Sequence, residues 1–206
     1  LSTSHASAFV NGSTLFYRPG QSAAFTVTAT SSADSVLFPD VFAVGDGGTV
    51  SPGPFTRAYT ASSTVSGSFP VTASNTFGPS TPSNFTVTPD SAAPSTTASC
   101  GGGTCTDPSS VTVTLTPGDG SGSGVNAIYY TKDGITTPTI DPLLKYTAPF
   151  SVSTTTTVQF FAVDNVGNTE TVKSQAVTIG GPPSAPSLGL STSLAGALVN
   201  GPTSFY

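Results

Sequence analysis

The sequence predicts an all-β fold built from two-layered antiparallel sandwiches, and three observations support this prediction. Small hydroxylated residues are abundant, with 35 Thr and 31 Ser among 206 residues. Threonine favours strands and serine favours turns, and both are poor in helix interiors. The apolar residues come in short alternating runs, and 22 Gly and 18 Pro punctuate those runs. Helical spacing is nowhere sustained, which argues against a helical fold.

Six runs in the first half of the chain alternate apolar and polar residues, and each run predicts a strand. They read STLFY, AAFTVTAT, DSVLF, FTRAYT, GSFPVTAS and SNFTVTP. Alternate residues of a strand face the space between two sheets. We therefore expect a core formed by Val27, Val36, Phe38, Phe69, Val71, Phe85 and Val87.

The second half contains five further runs of the same kind, SVTVTLTP, VNAIYYT, APFSVS, TTVQFFAV and ETVKSQAVTI. Six or seven short strands in about 90 residues are typical of an immunoglobulin-like (Ig-like) or fibronectin-type sandwich. The expected inward residues here are Val111, Val113, Leu115, Ile128, Tyr130, Phe160, Ala162 and Val177.

An internal repeat indicates how the chain is organised. The opening LSTSHASAFVNGSTLFY returns as LSTSLAGALVNGPTSFY, residues 190–206, with 12 of 17 positions identical and an offset of 189 residues. Self-similarity at a fixed period predicts a tandem array of folded units. A weaker echo, between residues 69–90 and residues 160–181, divides each period into two related modules.

Proline-rich seams at 88–97 and 180–187 lack periodicity and cannot continue a ladder in mid-sheet. We therefore predict two sandwiches in tandem, residues 1–90 and 91–180. Residues 181–206 are interpreted as a linker and the first strands of a third module.

Charge argues against two classes of partner. The formal net charge is −5, and the five basic residues are scattered without forming a patch. Phosphate backbones are bound by clustered Lys and Arg, so we expect no nucleic-acid partner. No apolar run approaches the roughly 20 residues of a membrane-spanning helix, so we expect no membrane insertion in this segment. The chain starts at Leu1 without a leader, and we expect it to be a piece of a longer protein.

The two cysteines, Cys100 and Cys105, flank the short segment GGGT. A disulfide across this glycine-rich loop is sterically easy and indicates an oxidising, extracellular setting. A zinc site is the competing interpretation, but His5 is the single histidine, and two thiols with one imidazole are too few for a closed tetrahedral site.

Three segments of the second half carry a family resemblance. They are SVTVTLTPGDGSGSGV, VNAIYYTKDGITTPT and KYTAPFSVSTTTTVQFFAVDNVGNTE. Residues 94–180 resemble the Ig-like domain at the C-terminus of chitobiase/β-hexosaminidase-type enzymes, which is also found in many bacterial surface proteins. The resemblance implies a non-catalytic spacer, stalk or accessory module of an exported protein. The first half is similar to bacterial Ig-like repeats.

Catalysis lacks candidate residues. The ten acidic residues lie mostly in turn contexts such as GDGG and KDG, where Asp and Asn satisfy local backbone N–H groups. A Ser/His/Asp triad would need His5, and the repeat replaces His5 by Leu194. We therefore predict that the chain has no catalytic residues and is not an enzyme.

Calcium is the one cofactor that the sequence suggests. In a sandwich of this strand order, the loop after the second strand, the loop before the last strand and the incoming linker all lie at one end. Ca²⁺ takes about 6–8 oxygen ligands, so convergence of these loops would form a site that stiffens the joint. The competing interpretation is plain turns, because the spacing does not match an EF-hand loop. The residues concerned are Asp90 in the linker, Asp119 in the first loop, and Asp164, Asn165 and Asn168 in the second.

Other surface chemistry stays open. Asn11 and Asn84 stand in Asn-x-Ser/Thr sequons and are candidate glycosylation sites. A lysine could form a covalent cross-link to Asn or Asp. Six tyrosines could contact sugars, although the chain has no Trp as a flat stacking platform and tyrosines in strands are more often core or sheet-face residues.

Two functional hypotheses follow. The first is a structural repeat unit of an extracellular bacterial fibre, stalk or adhesin shaft, whose partners are copies of itself or neighbouring modules. Unpaired sheet edges are templates for another chain, so such units could assemble into a filament by strand addition. The second hypothesis is a carbohydrate-binding or spacer accessory region of a secreted glycosidase, with surface glycans as partners.

Overall fold

The computed structural model describes residues 1–180 and two short strands, Leu198–Asn200 and Thr203–Phe205. Within these residues the regular elements are strands, apart from one 3-10 turn, Pro142–Leu144. Asp141 caps that turn by accepting the N–H of Leu143. No helix of the described residues is long and apolar enough to cross a membrane. The all-β fold class predicted from the sequence is confirmed.

Nine strands form the first half of the chain. The larger sheet has the order β1-β2-β9-β7-β4-β5, with β8 paired to β7, and β3 pairs with β6. β2 runs parallel to β9, and Ser2 bridges to Thr26. The bounds are β1 (Ala8–Asn11), β2 (Thr14–Tyr17), β3 (Ala23–Ala29), β4 (Ser35–Phe38), β5 (Gly48–Val50), β6 (Phe55–Ala61), β7 (Gly67–Asn75), β8 (Gly78–Pro79) and β9 (Ser83–Pro89).

Seven strands form the second half, in the sheets β10-β12-β14 and β11-β16-β15-β13. β11 runs parallel to β16, as β2 does to β9, so the first strands of each half pass from one sheet to the other beside the last strand. The bounds are β10 (Ser95–Cys100), β11 (Thr106–Asp107), β12 (Val111–Gly118), β13 (Val125–Thr131), β14 (Phe150–Val152), β15 (Thr156–Asp164) and β16 (Lys173–Ile179).

The buried apolar residues form two separate cores, one in each half. Alternation sets which residues enter them: Val111, Val113 and Leu115 of β12 are buried, while Thr112 and Thr114 between them are not. All the core residues expected from the sequence lie in these two clusters, with Phe69, Val71 and Tyr130 partly buried at their edges. Leu15, Tyr17, Phe25 and Tyr59 are also buried and were not expected.

The repeated segment forms the same hairpin twice. In the first copy β1 and β2 pair with Phe9 opposite Phe16 and Asn11 opposite Thr14. In the second copy β17 (Leu198–Asn200) pairs with β18 (Thr203–Phe205), and Leu198 faces Phe205. Each pair is the first pair shifted by 189 positions, so the repeat in sequence is also a repeat in register. The rest of the predicted third module, including the linker 181–189, lies outside the described residues.

One expectation about the connection between the halves was wrong. We expected the proline-rich seam 88–97 to break the ladder, but β9 continues through Pro89 and β10 begins at Ser95. Pro89 is tolerated because it is the last residue of its strand, where its missing N–H costs little. The connection is therefore only residues 90–94, and a short connection restricts movement between the halves.

The predicted disulfide is present and joins the two sheets of the second half. Cys100 ends β10, Cys105 precedes β11, and their Cα atoms are 5.2 Å apart. The carbonyl of Cys105 also accepts the N–H of Thr178 in β16, at 2.8 Å. The disulfide therefore holds the crossing from one sheet to the other, and no thiolate remains for the alternative zinc site.

A buried ion pair, which the sequence did not reveal, fixes the start of β10. The Glu170 carboxylate is 6% exposed and accepts the N–H of Thr96 at 2.7 Å and of Ala162 at 3.0 Å. Its Oε1 lies 2.7 Å from Nζ of Lys173. Nζ also donates to the Ser95 hydroxyl and the Thr96 carbonyl, both at 2.9 Å. The pair ties β10 in one sheet to β15 and β16 in the other.

Replacing both Cys100 and Cys105 by serine should lower the free energy of unfolding by about 2 kcal/mol. The physical reason is that the disulfide restricts the unfolded chain, and a short loop gives a modest effect. Urea unfolding of the oxidised protein and the double variant measures this. Reductant should bring the wild type to the value of the variant and leave the variant unchanged; a wild type indifferent to reduction would contradict the prediction.

Glu170→Gln should destabilise the chain by about 2 kcal/mol at pH 7, because it leaves buried N–H donors and the Lys173 charge poorly partnered. Burial raises the pKa of Glu170, but Lys173 and the Thr96 and Ala162 N–H groups outweigh it, so the pKa lies below its usual range. The stabilisation is therefore present above pH 4.5 and is lost as the pH falls through the folded-state pKa.

Urea unfolding from pH 7 to pH 2 tests the Glu170 prediction. The difference between wild type and Glu170→Gln should shrink as the pH falls. Asp141→Asn, at the exposed cap of the 3-10 turn, is the control and should show a smaller effect. A difference that stays constant with pH would show that Glu170 stabilises through its shape rather than through its charge.

Candidate metal centre at the junction of the two cores

Asp90, the first residue after β9, is bonded to both halves of the molecule. Its N–H donates to the carbonyl of Tyr17 at 2.8 Å, within the first half. Its carboxylate Oδ2 accepts the N–H of Ser123 at 2.7 Å, and its carbonyl accepts Nδ2 of Asn168 at 3.1 Å. Asp90 is 4% exposed, so these bonds are shielded from water. The joint between the halves is centred on this residue.

The loop after β12, residues 118–124, wraps around the Asp90 side chain. Asp119 Oδ2 accepts the N–H of Gly124 at 2.7 Å. Gly122 has no room for a side chain, because a Cβ there would lie 2.5 Å from Oδ2 of Asp119 and 2.9 Å from Oδ2 of Asp90. Glycine at residue 122 therefore allows the two carboxylates to approach the loop backbone.

The loop after β15 supplies the third carboxylate. Asp164 is 1% exposed, and its Oδ1 accepts the N–H groups of Val166 at 3.0 Å and Asn168 at 2.7 Å. Its Oδ2 accepts Nδ2 of Asn168 at 2.7 Å. Because the same amide nitrogen also donates to the Asp90 carbonyl, Asn168 connects the loop to the joint.

Asn165 and Arg18 add further contacts across this end of the second half. The side-chain amide of Asn165 donates to the carbonyls of Ser123 at 2.9 Å and Gly124 at 3.0 Å, which joins the two loops. Arg18, from the first half, donates to the carbonyl of Gly167 at 3.1 Å. The loops are thus braced against each other and against the first half.

These loops bring three carboxylates together. One oxygen each from Asp90, Asp119 and Asp164 lie within 4.8 Å of one another. Burial raises the pKa of Asp119 above its usual range; the N–H of Gly124 opposes this, and the charges of Asp90 and Asp164 raise it further. Within residues 1–180 the one ion pair is Lys173–Glu170, so no basic side chain neutralises the three carboxylates.

Two oxygen atoms at this joint are buried and have no hydrogen-bond partner. They are Oδ1 of Asp119 and the hydroxyl oxygen of Ser123, a residue that is 5% exposed. A buried polar atom without a partner costs free energy, so such atoms are uncommon in native proteins. They indicate that the joint can accommodate a further partner.

All five residues that the sequence suggested for calcium therefore lie at one joint. The competing turn interpretation also describes part of what is observed, because Asp90 and Asp164 accept N–H groups two residues on. Turn capping alone explains the acids elsewhere in the described chain, where the side chains of Asp40, Asp46, Asp107, Asp133 and Asp141 accept nearby N–H groups. It does not explain why three carboxylates converge.

The remaining candidate residues lie elsewhere. His5 accepts the N–H of Ser7 on its Nδ1, so it caps a local turn. Asn11 and Asn84 are exposed on β1 and β9, and their glycosylation stays a prediction.

The tyrosines are mostly committed to packing. Tyr17 and Tyr59 are buried in the first core, and Tyr129 stacks on Phe161 with ring centroids 5.5 Å apart. Tyr130 stacks on Phe150 at 4.3 Å, and Tyr146 packs edge-on against the same pair. Tyr206 lies outside the described residues. These contacts agree with core and sheet-face roles and leave few tyrosine faces for a sugar.

Comparison with known proteins gives the family of the second half. Residues 100–174 match the family model described as the chitobiase/beta-hexosaminidase C-terminal domain. The match contains Asp119 and Asp164 but not Asp90, which comes from the preceding segment. No curated protein matches the chain.

Among solved structures, the fibronectin(III)-like modules of CbhA from Clostridium thermocellum are similar. Their identity is 14% and the TM-score is 0.34, over 85% of this chain and 94% of that chain. The family match agrees with the sheet order and the core described above. Residues 100–174 are thus an Ig-like domain of the chitobiase/β-hexosaminidase C-terminal type.

Proposed function

We propose that this chain is a structural repeat unit of an extracellular bacterial fibre, stalk or adhesin shaft. In this proposal residues 1–90 and 91–180 are two Ig-like modules, and residues 181–206 are a linker and the start of the next copy of the first module. The unit projects or spaces other parts of a longer protein and carries no catalytic step.

The observation that carries the proposal is the hairpin repeated in register 189 residues apart. β1 and β2 dock onto β9 through the parallel pairing of β2, in which Leu15 faces Val87. The second hairpin pairs its strands with the same shift-corrected partners. A hairpin that reappears where the next module would begin is expected of an array.

The contacts at Asp90 support a load-bearing or spacing role. Two Ig-like units joined by a free linker would bend independently, whereas here the N–H, carboxylate and carbonyl of Asp90 are all bonded. Arg18 adds a bond from the first half to Gly167. The connection to the next copy is different in composition, because residues 181–189 read GPPSAPSLG. The array would thus alternate stiff and proline-rich joints.

An extracellular location is part of the proposal. It is supported by the Cys100–Cys105 disulfide, because disulfides persist mainly in oxidising compartments. The partners would be neighbouring modules and other copies of the chain. β1 and β5 are the edges of the large sheet in the first half, and open edges can accept a strand from a neighbour. Lateral or end-to-end filaments could form in this way.

The family name supports a second candidate function, an accessory region of a secreted glycosidase. The matched domain is named for the C-terminal part of chitobiase and β-hexosaminidase. In that role the chain would space a catalytic domain or hold it near a carbohydrate. Phe77, which is almost fully exposed in the turn between β7 and β8, would be the first aromatic side chain to test for sugar contact.

Proteins with one, two and three periods of 189 residues should distinguish the two functions. If the chain is a fibre or stalk unit, the maximum dimension from small-angle scattering should grow by a constant increment with each period, because stiff units add end to end. The gene around this segment should encode further 189-residue copies.

The glycosidase alternative makes the opposite prediction. A single period beside a catalytic domain, together with glycan-array binding that Phe77→Ala abolishes, would support it and contradict the structural proposal. Val44→Ala is the matched control, since Val44 is equally exposed in a different loop. A maximum dimension that does not grow with added periods would also contradict the structural proposal.

A further inference from the structure

We propose that Asp90, Asp119 and Asp164 bind a calcium ion, and that this ion locks the two halves of the chain together. The inference goes beyond the proposed structural role and would hold for either candidate function. It assigns a divalent-cation site to residues from both halves, so neither half would contain the site alone.

The spacing of the carboxylates suits one ion of this size. Calcium–oxygen distances are about 2.3–2.6 Å, so two ligands on opposite sides of the ion are about 5 Å apart and neighbouring ligands are closer. Oxygen atoms of Asp90, Asp119 and Asp164 lie within 4.8 Å of one another. All three can therefore contact one ion without rearrangement of the loops.

The unpartnered oxygens are the second, independent observation. Oδ1 of Asp119 is shielded from water and has no hydrogen-bond donor, although its carboxylate belongs to the cluster. The buried hydroxyl of Ser123 also lacks a partner, and the N–H of the same residue donates to Asp90 Oδ2. Buried polar atoms are normally partnered, and an unmodelled ion is one of the usual reasons for an exception. A bound cation would supply the partner that Asp119 lacks.

Charge leads to the same conclusion. Two of the three carboxylates, Asp90 and Asp164, are buried, and no basic side chain pairs with them among residues 1–180. Buried carboxylates are normally paired, metal-bound or protonated. Hydrogen bonds from Ser123, Val166 and Asn168 favour the charged forms of Asp90 and Asp164, so a divalent cation is the remaining source of neutralisation.

The surroundings favour calcium over magnesium or zinc. The site offers oxygen atoms only, which excludes the nitrogen and sulfur ligands that zinc prefers. Magnesium demands a near-ideal octahedron, whereas calcium accepts the irregular geometry that three different loop segments provide. Asn165 and Asn168 direct their amide nitrogens to carbonyl and carboxylate oxygens, so they brace the loops around the ligands.

An ion can reach the site from solvent. An open cleft of about 480 Å³ lies beside the cluster, lined by the linker from Thr88 to Ser95 and by the loop from Gly118 to Gly122. Water in the cleft can complete the coordination, because three carboxylates and a hydroxyl provide fewer oxygens than calcium takes.

The test uses the 206-residue chain, freed of metal with a chelator and then titrated with CaCl₂. Calcium should bind with a dissociation constant of about 0.1–1 mM, the range of extracellular modules. At saturation it should raise the midpoint of thermal unfolding by about 5–15 °C. Titration calorimetry and differential scanning calorimetry measure the two quantities, and MgCl₂ at the same concentration should give a smaller shift.

Asp119→Asn and Asp90→Asn should reverse sign between the two conditions. In calcium each variant should melt below the wild type, because a charged ligand is lost. In chelator each should melt at or above the wild type, because the repulsion among the carboxylates is reduced. A variant that simply failed to fold would melt lower in both. Asp133→Asn, at an exposed turn of the same half, is the charge-matched control and should keep the full calcium shift.

Gly122→Ala should abolish the calcium shift, since its Cβ would displace Asp119 and Asp90. Gly118→Ala is the matched control in the same loop, where a Cβ meets nothing within 4 Å. Absence of heat and of any melting shift up to about 10 mM CaCl₂ would overturn the proposal. A calcium shift that survives in Asp119→Asn, Asp90→Asn and Gly122→Ala would also overturn it, because the ion would then bind elsewhere.

Discussion

The architecture of this chain depends on one residue that is bonded to both of its cores. Asp90 follows the last strand of the first half, yet its side chain is bonded to the loop after β12 in the second half. Its N–H remains part of the first half through Tyr17. Since only residues 90–94 separate β9 from β10, the backbone alone permits little separation, and the bonds of Asp90 set the orientation that remains. The arrangement turns two small cores into one extended unit.

Small sandwiches of this size have modest cores, and each half of this chain adds its own support. In the first half an aromatic group does so, where Phe25 stacks on Tyr59 with centroids 5.0 Å apart. In the second half the Cys100–Cys105 disulfide and the Glu170–Lys173 pair both tie one sheet to the other. These supports lie where the first strands cross between sheets, which is also where a pulling force on the chain would first act.

Much of the fold could be predicted because the period-two pattern is strong. Every strand expected from an alternating run is present, since threonine faces outward and valine or leucine inward, as in β12. The strands that were missed are short and carry weak patterns: β1, β5, β8, β10 and β11. For β1 a signal existed, since Asn11-Gly12 is a hairpin dipeptide and Gly12 has a φ of +59°.

The candidate site was predictable to a lesser degree. Strand order alone placed Asp90, Asp119 and Asp164 at one end, because the loops of a sandwich converge there. Which oxygens meet depends on details that a sequence does not display, such as the lack of space at Gly122 and the two bonds of the Asn168 amide. Glu170 was missed for the same reason: a lone glutamate in a turn gives no sign that its partner, Lys173, joins it beneath β10.

The central claim is that the two halves form one stiff unit through the Asp90 joint. The most direct measurement is the distance distribution between spin labels at exposed strand positions, Ala24→Cys in β3 and Ser174→Cys in β16, by pulsed electron resonance with the native disulfide intact. A stiff unit gives a single narrow distribution, and Asp90→Gly broadens it. A broad distribution in the otherwise native chain would mean that the halves move independently, which would contradict the account.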